Sequence, residues 1–89
     1  MSVELVDGSG RPLGQISTNV GYVEMLDHLD ECGSAPDLKR FLETGETSNP
    51  KQVSEQAHGC AAHAELELRG SFMTISGLLR TCKGRVQVE

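Results

Sequence analysis

Residues 64–77 run Ala64-Glu65-Leu66-Glu67-Leu68-Arg69-Gly70-Ser71-Phe72-Met73-Thr74-Ile75-Ser76-Gly77, apolar and polar side chains alternating around a central Gly-Ser pair. A period of two is that of a half-buried strand, because successive side chains of an extended chain point to opposite faces. With Gly70-Ser71 as a two-residue turn, Leu68 opposes Met73, Leu66 opposes Ile75 and Ala64 opposes Gly77, while Glu67 opposes Thr74 on the other face. Lys83-Gly84 reads as a second turn of this kind, pairing Thr81 with Val86 and Leu79 with Val88, with Arg80 opposite Gln87 on the polar side. The spacing predicts two C-terminal hairpins, forming an antiparallel sheet with one face on helices and one in water.

Upstream, residues 3–6 and 13–17 read as short strands around Gly8-Ser9-Gly10-Arg11-Pro12, whose glycines and proline supply turn chemistry. A four-residue loop over 8–11 sets Val3 against Ile16 and Val6 against Leu13. A helix follows over residues 20–32. At 100° per residue Tyr22, Val23, Met25, Leu26, Leu29 and Cys32 occupy one half of its wheel, and Glu24, Asp27, Asp30 and Glu31 the other. Thr18 or Asn19 caps its start, and Gly33 is the natural residue past its end. Ser34-Ala35-Pro36-Asp37 opens a second helix, with Ser34 as the capping hydroxyl, Pro in the first turn and a carboxylate near the positive dipole end. Leu38, Phe41 and Leu42 form its apolar side and Gly45 ends it. Asn49-Pro50 starts a third helix reaching about residue 62, with Val53, Ala57, Cys60 and Ala64 as a narrow small-residue stripe. The expected fold is therefore one compact α+β domain over residues 1–89. Its antiparallel sheet comes from the C-terminal hairpins, with or without the N-terminal hairpin, and packs against two or three short helices.

Charge is unevenly placed. The 89 residues carry a net charge of −5, and all of that excess lies in the first half. Glu4, Asp7, Glu24, Asp27, Asp30, Glu31, Asp37 and Glu43 face only Arg11, Lys39 and Arg40 there, whereas acids and bases balance in residues 46–89. This distribution disfavours direct binding of a nucleic-acid backbone and allows a basic partner. Tyr22, Phe41 and Phe72 are the only aromatic residues, too few for the stacking platforms of single-strand binding. No segment approaches the ~20 apolar residues of a membrane span. Met1-Ser2-Val3-Glu4 lacks a basic region followed by an apolar run. Three cysteines, Cys32, Cys60 and Cys82, leave one unpaired in any intramolecular disulfide scheme. Reduced thiols and a cytoplasmic location are the expectation.

Four stretches invite chemistry. Gly8-Ser9-Gly10 has phosphate-loop composition, but the next glycine, Gly14, falls one place late for a dinucleotide fingerprint and a strand follows where a helix is needed. His58, Cys60 and His63 have the density of a metal site, and Glu24, His28 and Cys32 form an i, i+4, i+8 ladder. Geometry weighs against the first set. On a helix His58 points about 160° away from Cys60, and on a strand His63 opposes the other two. Cys60 beside a histidine also has the composition of a thiol nucleophile with its base, though it lies on the apolar stripe, where burial makes a thiol inert. Asp27, Asp30 and Glu31 resemble a hard-cation cluster only in composition, since calcium loops use irregular backbone. No cofactor is expected. The sequence thus favours a small, acidic, non-enzymatic binding or regulatory protein of inhibitor, immunity or adaptor type. It would dock a basic protein surface through Glu24, Asp27, Asp30 and Glu31. A Cys/His transition-metal protein using His58, Cys60 and His63 is the alternative, and a small thiol enzyme comes third.

Overall fold

Two strands, β1 (Ser2–Asp7) and β2 (Pro12–Thr18), lead into α1 (Asn19–Cys32) and α2 (Pro36–Thr44) in the computed structural model, which describes residues 2–89. A two-residue strand β3 (Glu46–Thr47), helices α3 (Pro50–Ala61) and α4 (Leu66–Leu79) and a last strand β4 (Val86–Val88) complete the chain. The strands form an antiparallel sheet in the order β2-β1-β4-β3. The N-terminal hairpin therefore belongs to the sheet, with β2 at one edge and β1 inside, next to β4. The architecture is α+β, as the sequence predicts, but with four helices and with strands spread along the chain, from both ends and, for β3, from its middle.

The first hairpin pairs Glu4 with Gln15 and Leu5 with Gly14, the register that a loop over 8–11 implies. Irregularities between Val3 and Glu4 and between Leu5 and Val6 shift its ends, so Val3 meets Ser17 and Val6 meets Pro12 instead of Ile16 and Leu13. Such bulges sharpen local twist. Asp7 organises the turn: its Oδ1 accepts from the Ser9 and Arg11 backbone N–H groups at 3.0 and 2.9 Å and from the Ser9 hydroxyl at 2.7 Å.

The largest departure from the sequence reading is α4. Residues 66–79 are helical, so the hairpin turning at Gly70-Ser71 does not form. Leu68, Phe72, Ile75 and Leu79 recur at spacings of four, three and four, and the helix buries them all. The hairpin would have placed Phe72 on the polar face with Thr74, whereas the helix removes it wholly from water. Phenylalanine is worth about as much burial as any side chain the chain possesses. The helix leaves Leu66 80% exposed and Met73 43% exposed, although the hairpin needed both inside. Lys83-Gly84 lies in the connection from α4 to β4 and not in a two-residue hairpin, because residues 79–82 are not a strand. Gly84 adopts φ of 84° there.

Gly70 and Gly77 sit on the solvent side of α4, and a Cβ added at either meets nothing within 4 Å. Gly70→Ala and Gly77→Ala should each raise stability by up to about 1 kcal/mol in urea denaturation, through helix propensity. A loss at Gly70 is the outcome that a Gly70-Ser71 turn requires.

The other helices begin and end close to where their residues dictate. Thr18 Oγ1 accepts from Gly21 N–H at 3.1 Å and caps α1, and Gly33, at φ 63°, closes it with a bond from its N–H to Leu29 O. At the start of α2 the Ser34 hydroxyl lies 2.9 Å from Cys32 Sγ and caps nothing. Its place is taken from α3. Gln56 Oε1 accepts from Asp37 N–H at 2.9 Å and Leu38 N–H at 3.0 Å, while Gln56 Nε2 donates to Asp37 Oδ2. Gln56→Ala should cost about 1 kcal/mol, the scale of a lost N-terminal cap, read from the urea midpoint.

Helices α1–α4 share one core with the sheet. Val3, Leu5, Ile16 and Val86 from the strands pack with Met25, Leu29, Leu38, Phe41, Val53, Ala57, Cys60, Phe72, Ile75 and Leu79. The small-residue stripe of α3 is buried, as its spacing predicts, and faces α4, where Ser54 Oγ donates to Ser76 O at 2.7 Å. Gly14 lets α4 approach β2 closely. A Cβ there would lie 3.1 Å from Leu78 Cδ1, and the backbone, at φ 155°, is one that side-chain-bearing residues rarely adopt. Among the described residues no helix is long and apolar enough to cross a membrane.

Candidate functional site: an acidic cleft between α1 and α4

Because Met25 and Leu29 anchor α1 in the core, the opposite side of the helix faces solvent with Glu24, Asp27, Asp30 and Glu31 all exposed. The four do not act as one row. Asp30 turns toward α2 and pairs with Lys39 Nζ at 2.5 Å, which neutralises it. Glu24, Asp27 and Glu31 line a shallow cleft of about 320 Å³ whose far wall is the start of α4.

That wall adds Glu65 and Glu67, two carboxylates that the hairpin reading assigned to a strand. A neighbouring cleft of about 580 Å³ shares Glu24, Glu67 and Leu68 and extends toward Thr18, Val20 and Ser71. Val20 is 69% exposed at this end, and the exposed Leu66 lies between the two added acids in sequence. Among the described residues no Lys or Arg lines either cleft. Five carboxylates beside exposed aliphatic groups create a negative potential, reinforced where low-dielectric walls exclude water.

His28 forms part of the cleft lining. Its ring packs against Phe72 at a centroid distance of 5.7 Å and a tilt of 50°. Its Nε2 is buried and has no hydrogen-bond partner among the described residues. Of the ladder Glu24, His28 and Cys32, the first two thus share the cleft lining, while Cys32 lies apart at the Ser34 hydroxyl.

His58, Cys60 and His63 are not gathered either. Cys60 is buried in the core, whereas His58 and His63 are exposed, and His58 lines a different cleft with Lys51, Glu55 and Arg80. Among the described residues no group of three or more His, Cys, Asp or Glu side chains is arranged to hold a metal ion. Burial pushes the Cys60 thiol up to about 11, the direction opposite to that of an activated nucleophile. In the Gly8-Ser9-Gly10 loop, Asp7 occupies the amides of Ser9 and Arg11, which a phosphate cradle would need free.

Comparison with protein-family models, curated protein sequences and solved structures finds no match to this chain. Glu65 and Glu67 were legible in principle, since the spacing of Leu68, Phe72, Ile75 and Leu79 marks the helix that carries them.

Proposed function

We propose that this chain is a small non-enzymatic binding or regulatory protein that docks a basic protein surface through the cleft between α1 and α4. The observation that supports the reading is the convergence of Glu24, Asp27 and Glu31 with Glu65 and Glu67 around a concave surface with no Lys or Arg among the described residues of its lining. Carboxylates on one solvent-facing helix are ordinarily a solubility device. Acids contributed by two helices that are far apart in sequence, and focused on one cleft, favour a partner of opposite charge. The exposed Val20 and Leu66 nearby offer apolar contact, which supplies the affinity that exposed ion pairs alone do not.

Under this reading Glu24, Asp27, Glu31, Glu65 and Glu67 are the docking residues, and Asp30 serves chiefly to join α1 to α2 through Lys39. The test is capture of partners from the native host with wild type and with the Asp27→Lys/Glu31→Lys variant in parallel. A basic protein held by wild type and lost by the variant supports docking at the cleft. Equal retention by both assigns the contact to another surface.

A further inference from the structure

Helix α4 buries Leu68, Phe72, Ile75 and Leu79, and its opposite side carries Leu66, Gly70, Met73 and Gly77, again at spacings of four, three and four. By the 3.6-residue period these four lie within about 60° of one another. Leu66 and Met73 are the large apolar side chains that the helix leaves in water. The glycines between them serve nothing inside the chain. A Cβ at either meets nothing within 4 Å, and neither backbone has a positive φ. Alanine would fit both places and favour the helix by about 1 kcal/mol at each.

We propose that this stripe is the contact between two copies of the chain, packed with their α4 helices antiparallel about a two-fold axis. Such an interface must be its own complement, because where residue i meets residue j, j also meets i. The stripe satisfies that condition. Setting Leu66 against Gly77 of the second copy also sets Gly70 against Met73 of the second copy, and the two-fold repeats both pairings. Every layer then lays a long side chain over a glycine. The missing Cβ atoms let the axes approach toward the close end of the roughly 8–10 Å range of helix pairs. A parallel pair would stack Leu66 on Leu66 and glycine on glycine, leaving voids that packed interfaces do not keep.

Charge favours the same arrangement. Glu65 and Glu67 lie at one end of α4, and Arg80 and Lys83 just past the other. Antiparallel packing brings the acidic end of each helix to the basic end of its neighbour and sets their dipoles in opposition. Arg69 falls level with the uncharged Thr74. Beside the stripe Thr74 Oγ1 donates to Gly70 O at 2.8 Å, so this hydroxyl is already satisfied when water is expelled. The stripe covers about 16 Å of helix, which makes a small and therefore reversible interface. The proposal stands apart from the docking reading, whose carboxylates on α1 it does not use.

Sedimentation velocity of the full chain from micromolar to millimolar concentration tests this, with circular dichroism as the check on folding. Wild type should pass from monomer to dimer, and Leu66→Glu should stay monomeric throughout. Gly77→Leu should weaken the dimer by at least about tenfold, because it overfills two equivalent layers. Adding Leu66→Ala to that chain should recover most of the loss, since a small residue then faces the large one again. Gly77→Ala should weaken the dimer yet stabilise the dilute monomer in urea. Asp27→Lys/Glu31→Lys should dimerise like wild type, so loss of docking and loss of self-association are read separately. A wild type still monomeric at millimolar concentration, or a dimer that Leu66→Glu leaves intact, overturns the proposal. So does a dimer that either Gly77 variant tightens, the mark of unspecific apolar adhesion, or one that the Leu66→Ala/Gly77→Leu chain does not restore.

Discussion

Replacing Phe72 with alanine is expected to destabilise the protein by about 3–5 kcal/mol, the range for truncating a fully buried phenylalanine. For a chain of this length total stability is roughly 5–13 kcal/mol, so the variant should sit close to, or beyond, its unfolding midpoint. Phe72 has no exposed surface, packs in the core with Met25, Leu29 and Ile75, and supports the His28 ring. Leu66→Ala, six residues earlier, should change stability by less than about 0.5 kcal/mol, because the side chain is 80% exposed. Urea denaturation of the two variants reads the contrast directly. Had residues 64–77 formed a hairpin, the order would invert, with Leu66 inside and Phe72 on the solvent face.

The second large effect concerns association. Asp27→Lys/Glu31→Lys should leave folding within about 1 kcal/mol, since both positions are exposed and neither carboxylate has an ion-pair partner among the described residues. Binding to a partner captured by wild type should instead slow by about ten- to a hundredfold at low salt, as steering gives way to repulsion. Association of the wild type should itself slow as salt rises, because exposed charges are screened beyond about 8 Å at physiological ionic strength. The variant should lose that dependence. Asp30→Asn serves as the control. Its charge is already matched by Lys39, so its effect on the rate should be the smaller.

Where local rules and tertiary packing agreed, the chain was readable from its residues. Thr18 and Gly33 bound α1, Gly45 ends α2, and Pro50 opens α3, because each residue suits its position whatever packs around it. The stripe of Val53, Ala57 and Cys60 pointed inward for the same reason. Residues 64–79 were ambiguous because they satisfy two periods. Leu66 and Leu68 alternate with glutamates, and Gly70-Ser71 has turn composition, while Leu68, Phe72, Ile75 and Leu79 recur at helical spacing. Phe72 resolves the conflict through the area it buries, and that is a property of the assembled core. Ser34 was the obvious cap for α2, yet a distant Gln56 performs the task. The pairing of β4 with β1, from the opposite end of the chain, and with β3, from its middle, likewise depends on long-range contacts.

The same limits shaped the site. Glu24, Asp27, Asp30 and Glu31 followed from one amphipathic wheel, but their division did not. Asp30 is separated from the others by Lys39, a residue of another helix. Glu65 and Glu67 join the cleft only once α4 is helical.

Mapping backbone amide shifts of isotope-labelled protein on addition of the captured basic partner tests the docking surface most directly. If the cleft is that surface, the perturbed amides lie in residues 20–31 and 65–71, and Glu24, Asp27 and Glu67 are among the most affected. Perturbations centred on the strands and on residues 80–85, with those two segments unmoved, would contradict it.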